Sequence, residues 1–175
     1  QVRRISYAQL TDEVARVAGG LKALGVEKGD RVIVYMPMIP EAAVAMLACT
    51  RIGAVHSIVF SAFSPDALAD RILDSDCQCL ITADQSLRVG KKLPLKAAAD
   101  KALERCPHVH TNIVVQRGGG SIDRSYADPG RCSQYCICFS LFQHINHVAG
   151  PAFADHIQEV GRICGLEYIV NPLLN

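Results

Sequence analysis

The chain lacks the features that would assign it to several broad functional classes. It has no excess of charge of one sign, because 18 Lys and Arg residues stand against 17 Asp and Glu residues. Nucleic-acid-binding domains usually carry a basic excess or a basic stripe, so we expect no nucleic-acid partner. No apolar run approaches the roughly 20 residues that a membrane-spanning helix needs. We therefore expect no membrane partner either.

A secretory leader and a disulfide framework are also missing. The sequence begins at Gln1, as a fragment or a processed product would, and shows no charged segment followed by an apolar one. Eight cysteines are present, but half of the 175 residues are hydrophobic, which is not typical of a small disulfide-stapled domain. Cys49, Cys77 and Cys79 lie in helix or strand patterns, where cysteine serves as a small apolar residue. We expect reduced thiols and a cytoplasmic location.

The short motifs of several enzyme classes do not occur. The sequence has no G-x-x-x-x-G-K-[ST] phosphate loop, no G-x-S-x-G nucleophile elbow and no H-E-x-x-H zinc motif. Glycines 118–120 follow a predicted strand, but Asp123 stands where a dinucleotide loop needs its third glycine. His56 has no carboxylate or nucleophile near it in sequence, so we interpret it as a hydrogen-bonded core histidine. These patterns predict no catalytic residue.

What the sequence does contain is an alternation of strand and helix patterns over residues 28–117. Apolar and β-branched runs predict four buried strands, at Arg31–Met36, Val55–Phe60, Gln78–Thr82 and Asn112–Gln116. Helix starts are signalled by a capping box, a cap or an early proline at Ser6, Pro40 and Ser64-Pro65, and a further helix is predicted over Leu95–Arg105. Such alternation implies parallel strands joined by right-handed crossovers. We predict a doubly wound α/β fold with a mainly parallel sheet and flanking helices.

Residues 118–175 are a different kind of sequence. They contain no lysine, although six lysines precede them. We predict a domain over residues 1–117, followed by a divergent, irregular tail over 118–175. Within the tail, only Pro151–Gly165 has a helical pattern, and Tyr168–Val170 could form a short strand.

The tail also holds one cluster of potential metal ligands. Its members are thiols and imidazoles, the ligands of tetrahedral zinc: Cys132, Cys136, Cys138, His144 and His147. The C-x2-C spacing that is common in structural zinc sites is missing. We interpret the cluster as accidental and predict no metal site, with a zinc-binding interaction element as the alternative.

A basic loop lies between the third predicted strand and the next helix, at Asp84–Pro94. It carries Arg88, Lys91 and Lys92 around Gly90. Ligands of open α/β sheets bind outside the carboxyl ends of the strands, and arginine beside glycine suits a phosphate group. From the pattern alone, a solvated basic turn is the favoured interpretation.

Beyond these patterns, several segments resemble a known protein family in their residue identities. The segments ISYAQL, GVEKGDRVIVYMPMIPEAAVAMLACTRIGAVHSIVF, FSPDALADRILDSD and LITAD resemble the N-terminal part of the AMP-forming acetyl-coenzyme A synthetases. These enzymes belong to the adenylate-forming acyl-CoA synthetases. The resemblance covers Arg3 to Arg117 and implies a partial N-terminal domain of that fold. Propionyl-CoA synthetases are the near alternative.

The resemblance implies a two-step ligation of small-molecule substrates. Acetate attacks the α-phosphate of ATP, with Mg²⁺ as cofactor, to give acetyl-adenylate and pyrophosphate. The thiol of CoA then attacks the adenylate and releases acetyl-CoA and AMP. The family's CoA-contacting R-[GA]-G-[KR] segment matches Arg88, Val89, Gly90 and Lys91. This match reverses the interpretation of the basic loop, because Arg88 and Lys91 are now expected to pair with CoA phosphates.

The sequence departs from the family in three places. Val89 replaces a small residue and is expected to crowd the backbone. Ser61-Ala62 replaces two glycines, which predicts strain if that backbone needs positive φ. The Ser/Thr/Gly-rich loop ending in Pro-Lys-Gly, the Y-x-x-T-E segment, the hinge aspartate and the lysine that promotes adenylation are absent.

From these absences we expect a fragment of an acetate–CoA ligase that is inactive alone. A non-catalytic CoA-binding or regulatory module and a propionyl-CoA synthetase fragment are the alternatives. A truncated gene, a frame shift or alternative splicing would each produce such a tail.

Overall fold

The computed structural model describes residues 4–117 and, beyond them, the backbone of two strands. The helices of this described part are α1 (Tyr7–Ala23), α2 (Pro40–Ile52), α3 (Pro65–Ser75) and α4 (Leu95–Leu103). Its strands are β1 (Arg31–Met36), β2 (Val55–Phe60), β3 (Cys79–Ala83), β4 (Ser86–Arg88), β5 (Lys91–Leu93), β6 (Thr111–Val115), β7 (Ser133–Ile137) and β8 (Ile145–Asn146).

The main sheet has the strand order β2-β1-β3-β6-β7-β8. All neighbours up to β7 are parallel, and β8 runs antiparallel to β7. The chain moves outward from β1 to β2 and then reverses to β3, so right-handed crossovers put α2 on one face and α3 and α4 on the other. The predicted doubly wound, mainly parallel fold is confirmed, and the order reverses between β1 and β3.

Burial explains why the central strands are continuous apolar runs. Every residue of β3 and β6 is buried, and so is every residue of β1 after Arg31. A parallel strand covered by helices on both faces has no solvent side, so it needs no alternation of polar and apolar residues. The predicted strands at these places are confirmed, with β3 and β6 displaced by one residue.

The predicted helix starts are also confirmed. Ser6 and Gln9 form a reciprocal capping box, in which the Gln9 N–H donates to Ser6 Oγ (3.2 Å) and the Ser6 N–H donates to Gln9 Oε1 (2.8 Å). Ser64 caps α3 through the N–H of Ala67. Pro40 and Pro65 occupy the first turns of α2 and α3, where a missing N–H breaks no helical hydrogen bond.

The prediction that β2 is a buried strand is wrong. β2 lies at the edge of the sheet, and Val55, Ile58 and Phe60 are 55%, 48% and 53% exposed. His56 is accordingly half-buried and forms no side-chain hydrogen bond within the described residues, so it is not a core histidine. An apolar run signals a strand, but the order of strands in the sheet decides whether both of its faces are covered.

β7 and β8 come from the region after residue 117, for which the sequence predicted no strand before Tyr168. The helix predicted at Pro151–Gly165 and the strand at Tyr168–Val170 lie outside the described residues. The domain boundary at residue 117 stays a prediction. None of the helices in the described part of the chain is long and apolar enough to cross a membrane.

Candidate functional site

The basic loop after β3 is a β-hairpin. β4 and β5 pair antiparallel, with Arg88 opposite Lys91, and a two-residue turn of Val89 and Gly90 joins them. Both turn residues have positive φ, 48° at Val89 and 73° at Gly90, as a type I′ turn requires. We call Ser86–Leu93 the cationic hairpin. The sequence patterns predicted a basic loop at this place and no hairpin.

Asp84 fixes the base of the cationic hairpin at the carboxyl end of the parallel sheet. Its Oδ1 accepts hydrogen bonds from the backbone N–H groups of Gln85 (2.7 Å) and Arg117 (2.9 Å). Its own N–H donates to the carbonyl of Val115, the last residue of β6 (3.0 Å). Ser86, the first hairpin residue, is buried. The hairpin therefore projects from the edge where ligands of open α/β sheets bind.

Arg88 and Lys91 form a like-charged cross-strand pair. Residues that stand directly opposite in an antiparallel pair share one face of the ribbon, so Arg88 and Lys91 lie on one face, and Leu87 and Lys92 on the other. Like charges in this arrangement destabilise a hairpin. Among the described residues, no carboxylate forms an ion pair with Arg88 or Lys91. An anion between the two side chains would remove this repulsion.

An aromatic pair lies beside the cationic hairpin. The Cζ of Arg88 lies 6.0 Å from the ring centroid of Phe60, the last residue of β2. Phe60 meets Phe63 edge to face, with centroids 6.5 Å apart and planes at 88°. On the far side, the Cζ of Arg71 in α3 lies 5.0 Å from the centroid of Phe63. The two rings thus lie between two guanidinium groups, and each ring contacts one of these groups.

The turn between these rings is anchored from the core. The N–H of Phe63 donates to the carbonyl of Phe60 (3.0 Å), and the hydroxyl of Tyr35 in β1 donates to the carbonyl of Phe63 (3.0 Å). Burial raises the pKa of Tyr35, so the hydroxyl stays a donor at neutral pH. Neither Ser61 nor Ala62 has positive φ. The expected strain at these two residues is therefore wrong, because the turn forms without a left-handed residue.

The structure brings together all four residues that the sequence predicted for CoA binding, at the tip of the cationic hairpin. Val89 does not crowd its surroundings, since it is 95% exposed, but its backbone is left-handed. The aromatic pair was not predicted from the sequence. An aromatic residue at the end of a predicted strand, with another just before the next helix cap, was the available signal.

The described cysteines are not candidates for a reactive nucleophile. The four described cysteines form no disulfide and are all buried: Cys49, Cys77, Cys79 and Cys106. Burial raises the pKa of Cys49 and of Cys77 to about 11 and also raises the pKa of Cys106, so the thiolate is scarce at neutral pH.

No metal site can be assigned within the part of the chain that the structure describes. The residues that the structure describes contain no group of three His, Cys, Asp or Glu side chains that could hold a metal ion. The side chains of the cysteine and histidine cluster predicted in the tail lie outside the described residues.

Comparisons with known proteins agree with the fold and with the resemblance. The family model described as "AMP-binding enzyme" matches residues 1–135. Acetyl-coenzyme A synthetase 2 of Pseudomonas putida is 61% identical over 120 residues, which are 69% of this chain and 19% of that protein. Acetyl-coenzyme A synthetase of Saccharophagus degradans is 65% identical over 118 residues, 67% of this chain and 18% of that protein.

A solved structure shares the fold. The acetoacetyl-CoA synthetase from Streptomyces lividans superposes with a TM-score of 0.67 at 29% sequence identity, covering 71% of this chain and 19% of that one. The chain thus spans about a fifth of the length of the relatives it matches. The family match covers most of the chain, and identities near 60% extend over its first two-thirds. The chain belongs to the AMP-binding enzyme family, and its N-terminal part corresponds to that of the acetyl-CoA synthetases.

Proposed function

We propose that this chain is part of an acetate–CoA ligase and that its cationic hairpin binds the phosphates of CoA. Arg88 supplies a planar guanidinium that can bind a phosphate through two hydrogen bonds, and Lys91 supplies a compact charge beside it. Gly90 leaves the backbone at the turn without a side chain. The similarity to acetyl-CoA synthetases supports CoA, ATP and acetate as the small-molecule substrates.

The observation that carries this proposal is the like-charged cross-strand pair. Arg88 and Lys91 face the same side of a short ribbon, and the described residues offer them no carboxylate. Without a ligand, the repulsion between the two charges weakens the hairpin. An anionic ligand that binds between them offsets this repulsion. Its place at the carboxyl end of a doubly wound sheet agrees with a ligand site.

Calorimetric titration of CoA into the purified chain tests the assignment. We expect Arg88→Ala and Lys91→Ala each to raise the dissociation constant about tenfold, because each removes a charge-assisted contact with phosphate. The affinity of the parent chain should also fall as salt is added, because salt screens exposed charges. Unchanged affinity in both variants, or no binding by the parent, would contradict the proposal.

For catalysis, we expect no acetate-dependent exchange of pyrophosphate into ATP by these 175 residues alone. The family's phosphate-gripping loop and adenylation lysine do not occur among them. Without such groups, neither positioning nor charge stabilisation of the reacting phosphate operates. The measurement is isotope exchange with the purified chain, and exchange that scales with its concentration would refute the expectation.

A non-catalytic CoA-binding or regulatory module remains the competing proposal, and it shares the cationic hairpin. It would be favoured if the chain bound CoA while the protein of which it is a part ligated neither acetate nor propionate to CoA. We propose a cytoplasmic location, which is supported by the buried, reduced cysteines of the described part, since none of them forms a disulfide.

A further inference from the structure

Phe60 links the edge of the sheet to the cationic hairpin. It ends β2, whereas the hairpin follows β3, and β1 lies between these two strands in the sheet. The contact between the Arg88 guanidinium and the Phe60 ring therefore spans the carboxyl end of β1, at the place where the strand order reverses. No other aromatic ring contact of Arg88 occurs within the described residues.

The half-exposed Phe60 ring is contacted by a residue whose backbone the core anchors. Its neighbour Phe63 packs against it edge to face, and the backbone of Phe63 is bonded to the buried hydroxyl of Tyr35. Arg71 covers the other ring. A ring that is supported by such a neighbour can restrict a flexible arginine, whose freedom would otherwise be lost when a ligand binds.

We infer that Phe60 is a positioning residue, which holds the Arg88 guanidinium over its ring face and so prepares it for an anion. This inference rests on the proposed binding of CoA phosphates by Arg88. A ring face attracts a guanidinium whose centre lies within about 6 Å, and the contact leaves the N–H edges of the guanidinium open to a phosphate. Phe60 thus acts through Arg88 and not through a contact of its own with the ligand.

A double-mutant cycle with CoA tests this coupling. Phe60→Leu should raise the dissociation constant about two- to fivefold, the range expected for losing a surface cation–π contact. In the Arg88→Ala background, Phe60→Leu should have no further effect. Phe60→Tyr and Phe60→Trp, which keep an aromatic face, should bind CoA with the affinity of the parent chain. Val55→Ala is the matched control, since Val55 is equally exposed and lies at the opposite end of the same strand.

A ligand-free measurement separates this inference from the proposed function. The Nε–H resonance of Arg88 in the NMR spectrum should move in Phe60→Leu and stay in place in Val55→Ala, because Phe60, unlike Val55, supplies a ring current there. An unmoved resonance, or a loss of affinity that persists in the Arg88→Ala background, would overturn the positioning role even if the parent binds CoA. No CoA binding by the parent, with a moved resonance, would instead refute the proposed function on which the role rests.

Discussion

Among the residues that the structure describes, Val89 has the backbone conformation that suits its side chain least. It stands in the left-handed region with φ of 48°, where a β-branched side chain is strained. Its side chain is almost fully exposed, so no packing compensates. The resemblance located residues 88–91 from the sequence, but the hairpin itself was not predictable. Val-Gly is a weak type I′ signal, because that turn favours Asn-Gly or Asp-Gly.

Replacing Val89 should therefore stabilise the protein. Val89→Asn is expected to raise the free energy of unfolding by about 1 kcal/mol, since Asn enters the left-handed region more readily. Urea denaturation measures the change. Leu87→Asn is the control, because Leu87 is also exposed but lies in extended strand, and it should bring no gain. An equal effect of both substitutions would exclude turn strain as the cause.

At the scale of elements, sequence patterns predicted the four helices and the strands β1, β2, β3 and β6, but not where each strand lies in the sheet. The capping box at Ser6 and the prolines of α2 and α3 are local signals, and the helices begin where those signals stand. The status of β2 as an edge strand depends on strand order, which is set by contacts between distant segments. For this reason the burial of Val55–Phe60 was predicted wrongly, although its bounds were correct.

The end of α2 provides a test at the same scale. Gly53 caps this helix with φ of +79°, and a Cβ there would lie 2.9 Å from Cγ of Lys28. Gly25 has a similar φ of +84° after α1, but a Cβ there would meet nothing within 4 Å. Both substitutions to Ala should lower the free energy of unfolding by about 1 kcal/mol because of the left-handed backbone. Chemical denaturation should show a larger loss of stability for Gly53→Ala than for Gly25→Ala, and equal losses would show that Lys28 adjusts freely.

For the whole molecule, the closely packed core predicts how stability depends on pH. Burial raises the pKa of the Cys49 and Cys77 thiols from 9.0 to about 11, so the folded state binds protons that the unfolded state has released. Stability is then constant with respect to these groups below about pH 9 and falls as the pH rises towards 11. Burial of Tyr35 acts in the same direction.

Urea denaturation at pH 8 and pH 10.5 measures this fall. Each thiol should contribute a loss on the order of 1–2 kcal/mol at the higher pH. Cys49→Ala and Cys77→Ala should each show a smaller loss between the two pH values than the parent chain. Parallel losses in parent and variants would mean that other groups cause the alkaline destabilisation.

The most direct test of the central claim compares two neighbouring lysines. Lys91 shares a face of the cationic hairpin with Arg88, whereas Lys92 lies opposite Leu87 on the other face. The two substitutions to Ala remove the same charge from the same strand, so a non-specific electrostatic effect would weaken CoA binding equally. We predict that Lys91→Ala raises the dissociation constant for CoA about tenfold while Lys92→Ala changes it less than twofold. Equal effects of the two substitutions would contradict a phosphate site on the Arg88–Lys91 face.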